Sequence, residues 1–127
     1  MIQATLAFPA SQAAVSGATA TTIDDATGFD ILMSHQDQVV ELPPDAELLA
    51  TADYCPVGAY RVADHVFCVQ GHPEFVPALS ATLAERRRER IGDETVDAAL
   101  TSLARPLDHA RIVEWIGRFY RSGVAPG

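Results

Sequence analysis

The residues of this chain whose types and spacing could do chemistry are His72 and Glu74, separated only by Pro73. Proline disfavours helical backbone for the residue before it, and extended residues two apart point to the same side. The spacing predicts Cα atoms about 6–7 Å apart at a rise of roughly 3.3 Å per residue, within reach for a Glu carboxylate to meet an imidazole nitrogen. A carboxylate so placed fixes the imidazole tautomer and stabilises its protonated form, the base-and-orienter half of a catalytic triad. A His-Pro-Glu turn without chemistry is the other reading of the same three residues.

The pair must be positioned by what surrounds it. Val66, Phe67, Cys68 and Val69 form a continuous apolar run that predicts a strand buried on both faces. Gln70 to Phe75 then emerge at its carboxyl end, the edge where binding and catalytic groups of open α/β sheets collect. Upstream, Phe29, Ile31, Leu32 and Met33 predict a second short strand, which also runs into polar residues. Leu42-Pro43-Pro44-Asp45 predicts a turn, because paired prolines continue neither a ladder nor a helix. Residues 47–52 and 58–62 read as further strands, with Ala63-Asp64-His65 as a hairpin connection into 66–70. Residues 1–26, rich in Ala, Thr, Ser and Gln, show no sustained period and support only one short strand around 2–8.

Beyond the turn the period becomes helical. Residues 77–91 predict a helix with Pro77 in its first turn, Leu79, Leu83 and Ile91 on an inner side, and Gly92 at its end. The arginine and glutamate run over 85–90 reads as a solvated helix face, because the acids are interleaved with the bases. Asp93 is placed to cap a second helix carrying Val96, Leu100 and Leu103, with Pro106 just beyond it. Asp108 is placed to cap a third, whose Ile112, Val113, Ile116, Phe119 and Tyr120 make an apolar stripe before Gly123, with Trp115 packing beside it.

At 127 residues and 48% hydrophobic content the chain has the size of one domain with a real core. A formal charge of -8 argues against nucleic acid, since a phosphate-binding surface needs positive potential. All nine basic residues are arginine; residues 1–75 hold one of them against ten acids, and residues 76–127 hold eight against seven. The acidic half is thus the half with the candidate chemistry. Two cysteines, Cys55 and Cys68, without a secretory signal predict a reduced cytoplasmic setting and no disulfide framework. No apolar run approaches the roughly 18 residues of a membrane span. His35, Asp37, His72 and Glu74 lack helical ligand spacing, so neither a metal nor another cofactor is expected.

Four stretches in order carry a resemblance: Ser34-His35-Gln36-Asp37-Gln38-Val39, Leu42-Pro43, Asp53-Tyr54-Cys55-Pro56, and Val69-Gln70-Gly71-His72-Pro73-Glu74-Phe75. Together, over roughly residues 28–120, they resemble the C-terminal part of a class I glutamine amidotransferase of the GMP-synthase-like kind. The resemblance implies an α/β, partial flavodoxin-like domain over 27–123, with short strands over 28–70 followed by C-terminal helices over 77–122. It implies glutamine hydrolysis to glutamate and ammonia through a Cys-His-Glu triad, with His72 and Glu74 as the catalytic His and Glu and Ser34, His35, Gln36 and Asp37 binding substrate.

The family's cysteine sits in a Gly-x-Cys-x-Gly elbow between strand and helix, where glycines permit a strained turn and backbone amides build an oxyanion hole. This chain contains no such stretch. Cys68 lies four residues before His72, about 13 Å away along an extended segment, and reads as a core residue. Cys55 precedes Pro56, which favours a relaxed extended backbone over an elbow. The expectation is therefore a truncated amidotransferase domain, inactive alone or completed by an N-terminal-half or synthetase partner chain or by self-association. A non-catalytic interaction module and a hydrolase using Cys55 in a rearranged site are the alternatives.

Overall fold

The computed structural model describes residues 2–6 and 28–122. Five strands, β1 (Ile2–Leu6), β2 (Phe29–Met33), β3 (Ala46–Ala52), β4 (Cys55–Val62) and β5 (Val66–Val69), precede four helices, α1 (Pro77–Arg86), α2 (Arg88–Ile91), α3 (Asp93–Ser102) and α4 (His109–Ser122). The chain is thus α/β, with strands over the first part and helices over the last. Of the expected lead-in only Ile2–Leu6 falls among the described residues; the rest of 1–26, the end of the strand expected over 2–8, and Gly123 lie outside them.

The strands pair antiparallel throughout. β1 lies beside β2, and β3, β4 and β5 form a meander in that order. Asp53-Tyr54 joins β3 to β4 tightly enough that Ala52 pairs with Cys55. β4 therefore starts three residues before the expected position 58, and Pro56 is accommodated near the strand's beginning, where proline's missing N–H is tolerated. The Pro43-Pro44-Asp45 turn closes with the Ala46 N–H donating to the Pro43 carbonyl at 3.2 Å. Asp45 there takes φ 62°, a left-handed conformation that aspartate tolerates better than most residues.

The strand buried on its two faces is β2, and not β5 as the apolar run over 66–69 predicts. Phe29, Ile31 and Met33 enter the main core, while Leu32, fully buried, points the other way by strand alternation. All four residues of β5 are half-buried. β5 is the last strand of its meander, so one face of it packs on the core through Phe67 and Val69 and the other is shared with neighbouring surface.

α4 supplies the lid of the core. Ile112, Trp115 and Phe119 are buried, with Trp115 edge-on to Phe29 at 5.3 Å and Phe119 against Phe67 at 5.5 Å. Burying each such side chain contributes about 1.5–3 kcal/mol relative to leaving it exposed. Val113 and Tyr120, expected in the same stripe, are exposed, because a stripe centred on Ile112, Trp115 and Phe119 turns them outward. Arg111 stacks on the Trp115 ring at 4.7 Å.

The helix expected over 77–91 is broken at Arg87, where φ -100° and ψ 1° leave the helical range. Its buried side is Ser80 and Ala84, with Leu79 exposed. The small residues let α1 approach α3, where Ala84, Val96 and Ala99 form a second core cluster. Asp93 makes no capping hydrogen bond; the N-cap of α3 is Gly92 at φ 86°. Asp108, expected at the start of α4, accepts the Ile112 N–H at its carbonyl at 3.0 Å, and its carboxylate is engaged with β2. The Asp30 N–H donates to Asp108 Oδ2 at 2.8 Å and the Asp108 N–H donates back to the Asp30 carbonyl at 2.9 Å.

Candidate active site

Gln70 to Phe75 leave β5 and cross to the end of β2. Gly71 makes this crossing possible: a Cβ at this position would meet Ile31 Cδ1 at 2.7 Å, and Ile31 is fully buried. The next residue then donates, His72 N–H to the Leu32 carbonyl, at 2.8 Å. Proline at the second position favours a β-turn, and one closes at once, with the Phe75 N–H donating to the His72 carbonyl at 3.2 Å. His72 and Glu74 thus meet across a turn rather than along the extended segment expected from Pro73.

Within that turn His72 Nδ1 lies 2.8 Å from Glu74 Oε1. The ionised carboxylate only accepts, so Nδ1 carries the proton, and in the neutral imidazole the lone pair is then on Nε2. The imidazole stacks on the Phe75 ring, with centroids 4.2 Å apart and planes at 11°, which restricts its rotation. The His72 side chain is 32% exposed, so Nε2 belongs to a ring that solvent and a ligand can reach. Desolvation raises the Glu74 carboxyl, but the hydrogen bond from His72, a backbone N–H and the nearby His72 and His109 outweigh it and hold the group below its ordinary range.

The segment Ser34 to Val39 follows β2 and runs beside this turn. It is bounded at one end by the Leu32–His72 bond and at the other by the Val39 N–H, which donates to Gln70 Oε1 at 3.4 Å. Arg87, at the break between α1 and α2, donates from Nη1 to Ser34 Oγ at 3.2 Å. Gln36, with its amide oxygen turned to Arg90, accepts from that guanidinium at 3.0 Å. His35 Nε2 lies 3.3 Å from Gln38 Oε1, while its buried Nδ1 has no hydrogen-bond partner among the described residues. Asp37 is exposed. Among the described residues, no group of three His, Cys, Asp or Glu side chains could hold a metal ion, and no helix is long and apolar enough to cross a membrane.

Part of the chain has curated relatives. Gamma-glutamyl peptidase 3 of Arabidopsis thaliana is 43% identical over 56 residues, 44% of this chain and 22% of that protein. The glutamine-hydrolyzing GMP synthase of Marinomonas sp. (strain MWYL1) is 32% identical over 99 residues, 58% of this chain and 19% of that protein. That of Cellvibrio japonicus (strain Ueda107) is 39% identical over 57 residues, 44% of this chain and 11% of that protein. This chain is related to the class I glutamine amidotransferases. The partial coverage fits a C-terminal part of such an amidotransferase, and the chain spans less than a quarter of the length of each of these three relatives. No family model matches, and no solved structure matches.

An amidotransferase triad needs a thiol beside its histidine, and the chain has two cysteines. Cys55 is fully buried at the start of β4, with its Sγ directed to the Val57 carbonyl at 3.7 Å, and burial pushes its thiol up. A buried, neutral thiol is a poor nucleophile. Cys68 sits within β5 opposite Tyr60, in the extended strand expected for it.

Three side chains beside this region escaped the reading of the sequence: Arg87 and Arg90, expected on a solvated helix face, and His109. His109, the first residue of α4, accepts from the Leu32 N–H at Nε2 (3.4 Å), and it feels both the Glu74 carboxylate and the Phe75 backbone. The only signal in the sequence is a histidine directly after the helix-capping candidate Asp108.

Proposed function

We propose that this chain carries the general base and its orienting carboxylate for acyl transfer at the γ-carbonyl of a glutamyl group. Glutamine hydrolysis to glutamate and ammonia is the leading case. The observation that carries the reading is the 2.8 Å bond between His72 Nδ1 and Glu74 Oε1. The two sorts of relatives share the same bond chemistry in their names, a γ-glutamyl peptidase and a glutamine-hydrolyzing synthase.

In this reading Nε2 of His72 takes the proton of a cysteine thiol, and the thiolate attacks the γ-carbonyl. His72 returns the proton to the departing ammonia, and water then cleaves the thioester by the same base. Glu74 stabilises the imidazolium formed in each step. Ser34, His35, Gln36 and Asp37 form the substrate-binding segment, held from the helical side by Arg87 and Arg90.

The thiol comes from outside residues 28–122, in a longer polypeptide or a second one, as part of a flavodoxin-like domain that residues 27–123 complete. The burial of Cys55 supports an external thiol over a rearranged site.

The test is a coupled ammonia-release assay on glutamine, with the chain alone and with a polypeptide bearing a Gly-x-Cys-x-Gly stretch. Activity in the mixture that falls about 10²–10⁴-fold with His72→Ala is the expected result. Activity indifferent to His72→Ala overturns the assignment. No activity in any mixture favours a non-catalytic interaction module.

A further inference from the structure

We propose that His109 is a positioning residue for the His72–Glu74 pair, clamping the turn that carries it to β2 and α4. The start of α4 is itself fixed, since Asp108 and Asp30 exchange two hydrogen bonds of 2.8 and 2.9 Å. From that anchor the His109 ring reaches the Leu32 peptide. A backbone N–H only donates, so the Leu32 N–H at 3.4 Å requires a lone pair on Nε2. The ring proton of the neutral imidazole is then on Nδ1, and the nearby Phe75 backbone acts on the same ring.

Leu32 thereby serves both histidines. Its N–H goes to His109 and its carbonyl takes the His72 N–H at 2.8 Å. The turn is gripped at His72 through Leu32, and His109 lies against its other end, where it senses the Glu74 carboxylate and the Phe75 backbone. The Leu32 grip fails if His109 is protonated, because an Nε2–H would then face the Leu32 N–H. Burial keeps the ring neutral by lowering its pKa, against the opposing pull of the Glu74 and Asp108 carboxylates.

The catalytic consequence rests on the function proposed above; the positioning itself is read without it. The experiment is nitrogen-edited NMR of the His72 ring in the full chain, comparing wild type with H109A and H109Q. Glutamine keeps an acceptor for the Leu32 N–H and does not titrate. The expected result is a single Nδ1–H tautomer for His72 in wild type and H109Q, and a mixture of tautomers in H109A. A second signature covers the case in which H109A does not fold: the His72 and Phe75 amide shifts of wild type move with protonation of His109, and this movement disappears in folded H109Q. An unmixed tautomer in folded H109A, or an unchanged acid titration of those amides in H109Q, overturns the proposal. In the thiol-completed enzyme H109A lowers kcat by about 10²-fold, the cost of a small misplacement, with KM little changed. If the completed wild type has no His72-dependent activity, the proposed function falls while the NMR result still decides the role of His109.

Discussion

Gly71 packs so closely on Ile31 that a Cβ at position 71 would come within 2.7 Å of Ile31 Cδ1. The glycine of the Gly-His-Pro-Glu stretch is therefore a spacing device that sets how near the turn can come to β2. Gly71→Ala is expected to cost about 1–3 kcal/mol, the range for overpacking a core that cannot give way. Ile31→Val in the same chain removes one of the offending methyl groups and is expected to recover part of the loss. Urea denaturation of the single and double variants checks this coupling, and strictly additive effects would contradict it.

Glu74→Gln keeps an acceptor for His72 Nδ1 but removes the negative charge. Turnover in the thiol-completed enzyme is expected to fall by at least ~10-fold, the lower reach of losing charge stabilisation from a base, while circular dichroism stays near wild type because Glu74 is largely exposed. Steady-state kinetics on glutamine is the measurement.

Cys55→Ala should leave glutamyl hydrolysis unchanged and cost on the order of 1 kcal/mol, the scale of deleting one buried heavy atom. The native thiol should also react with an aromatic disulfide reagent only on unfolding, since it is fully buried and its pKa is raised by that burial. Rapid labelling of Cys55 under native conditions would show that β4 opens at its start.

Acid should destabilise the chain in two stages. The folded pKa of His109 lies below its ordinary 6.5, chiefly through burial, so the unfolded chain binds the proton first as pH falls. The stability it contributes is complete above 6.5 and is lost as pH falls toward the folded value. The folded pKa of Glu74 lies below its ordinary 4.5, where the hydrogen bond from His72 outweighs desolvation, so its contribution is present above 4.5 and declines as pH falls through its folded value. Denaturation curves from pH 7 down to about 3, below the ordinary carboxyl value, should lose the first stage in H109Q and keep the second.

Asp108→Ala removes the acceptor of the Asp30 N–H and is expected to cost about 1–3 kcal/mol. Hydrogen exchange at Asp30 and at the first turn of α4 should accelerate together, because one carboxylate ties the two elements.

Much of this arrangement is legible from local chemistry. Short apolar runs separated by proline and glycine turns place β2, β3 and β5 within a residue or so, and the 3.6-residue period finds α3 and α4. His72 and Glu74 are identifiable because their separation is only two residues, so no long-range fold is needed to bring them together. The same sequence is silent on quantities that depend on what packs from elsewhere. Leu79 and Ser80 exchange the roles that hydrophobicity assigns them, because α1 approaches α3 through its small residues. The apolar run over 66–69 does not reveal that it becomes the last strand of a meander, and β2 instead takes the position covered on both faces. His109 is the clearest case. It lies 37 residues from His72 in the sequence, and no periodicity links them; only the docking of α4 on β2 brings its ring to the Leu32 peptide that also holds His72. Chemistry between near neighbours was set by the sequence itself, whereas the clamp that holds those neighbours in place is a product of tertiary packing.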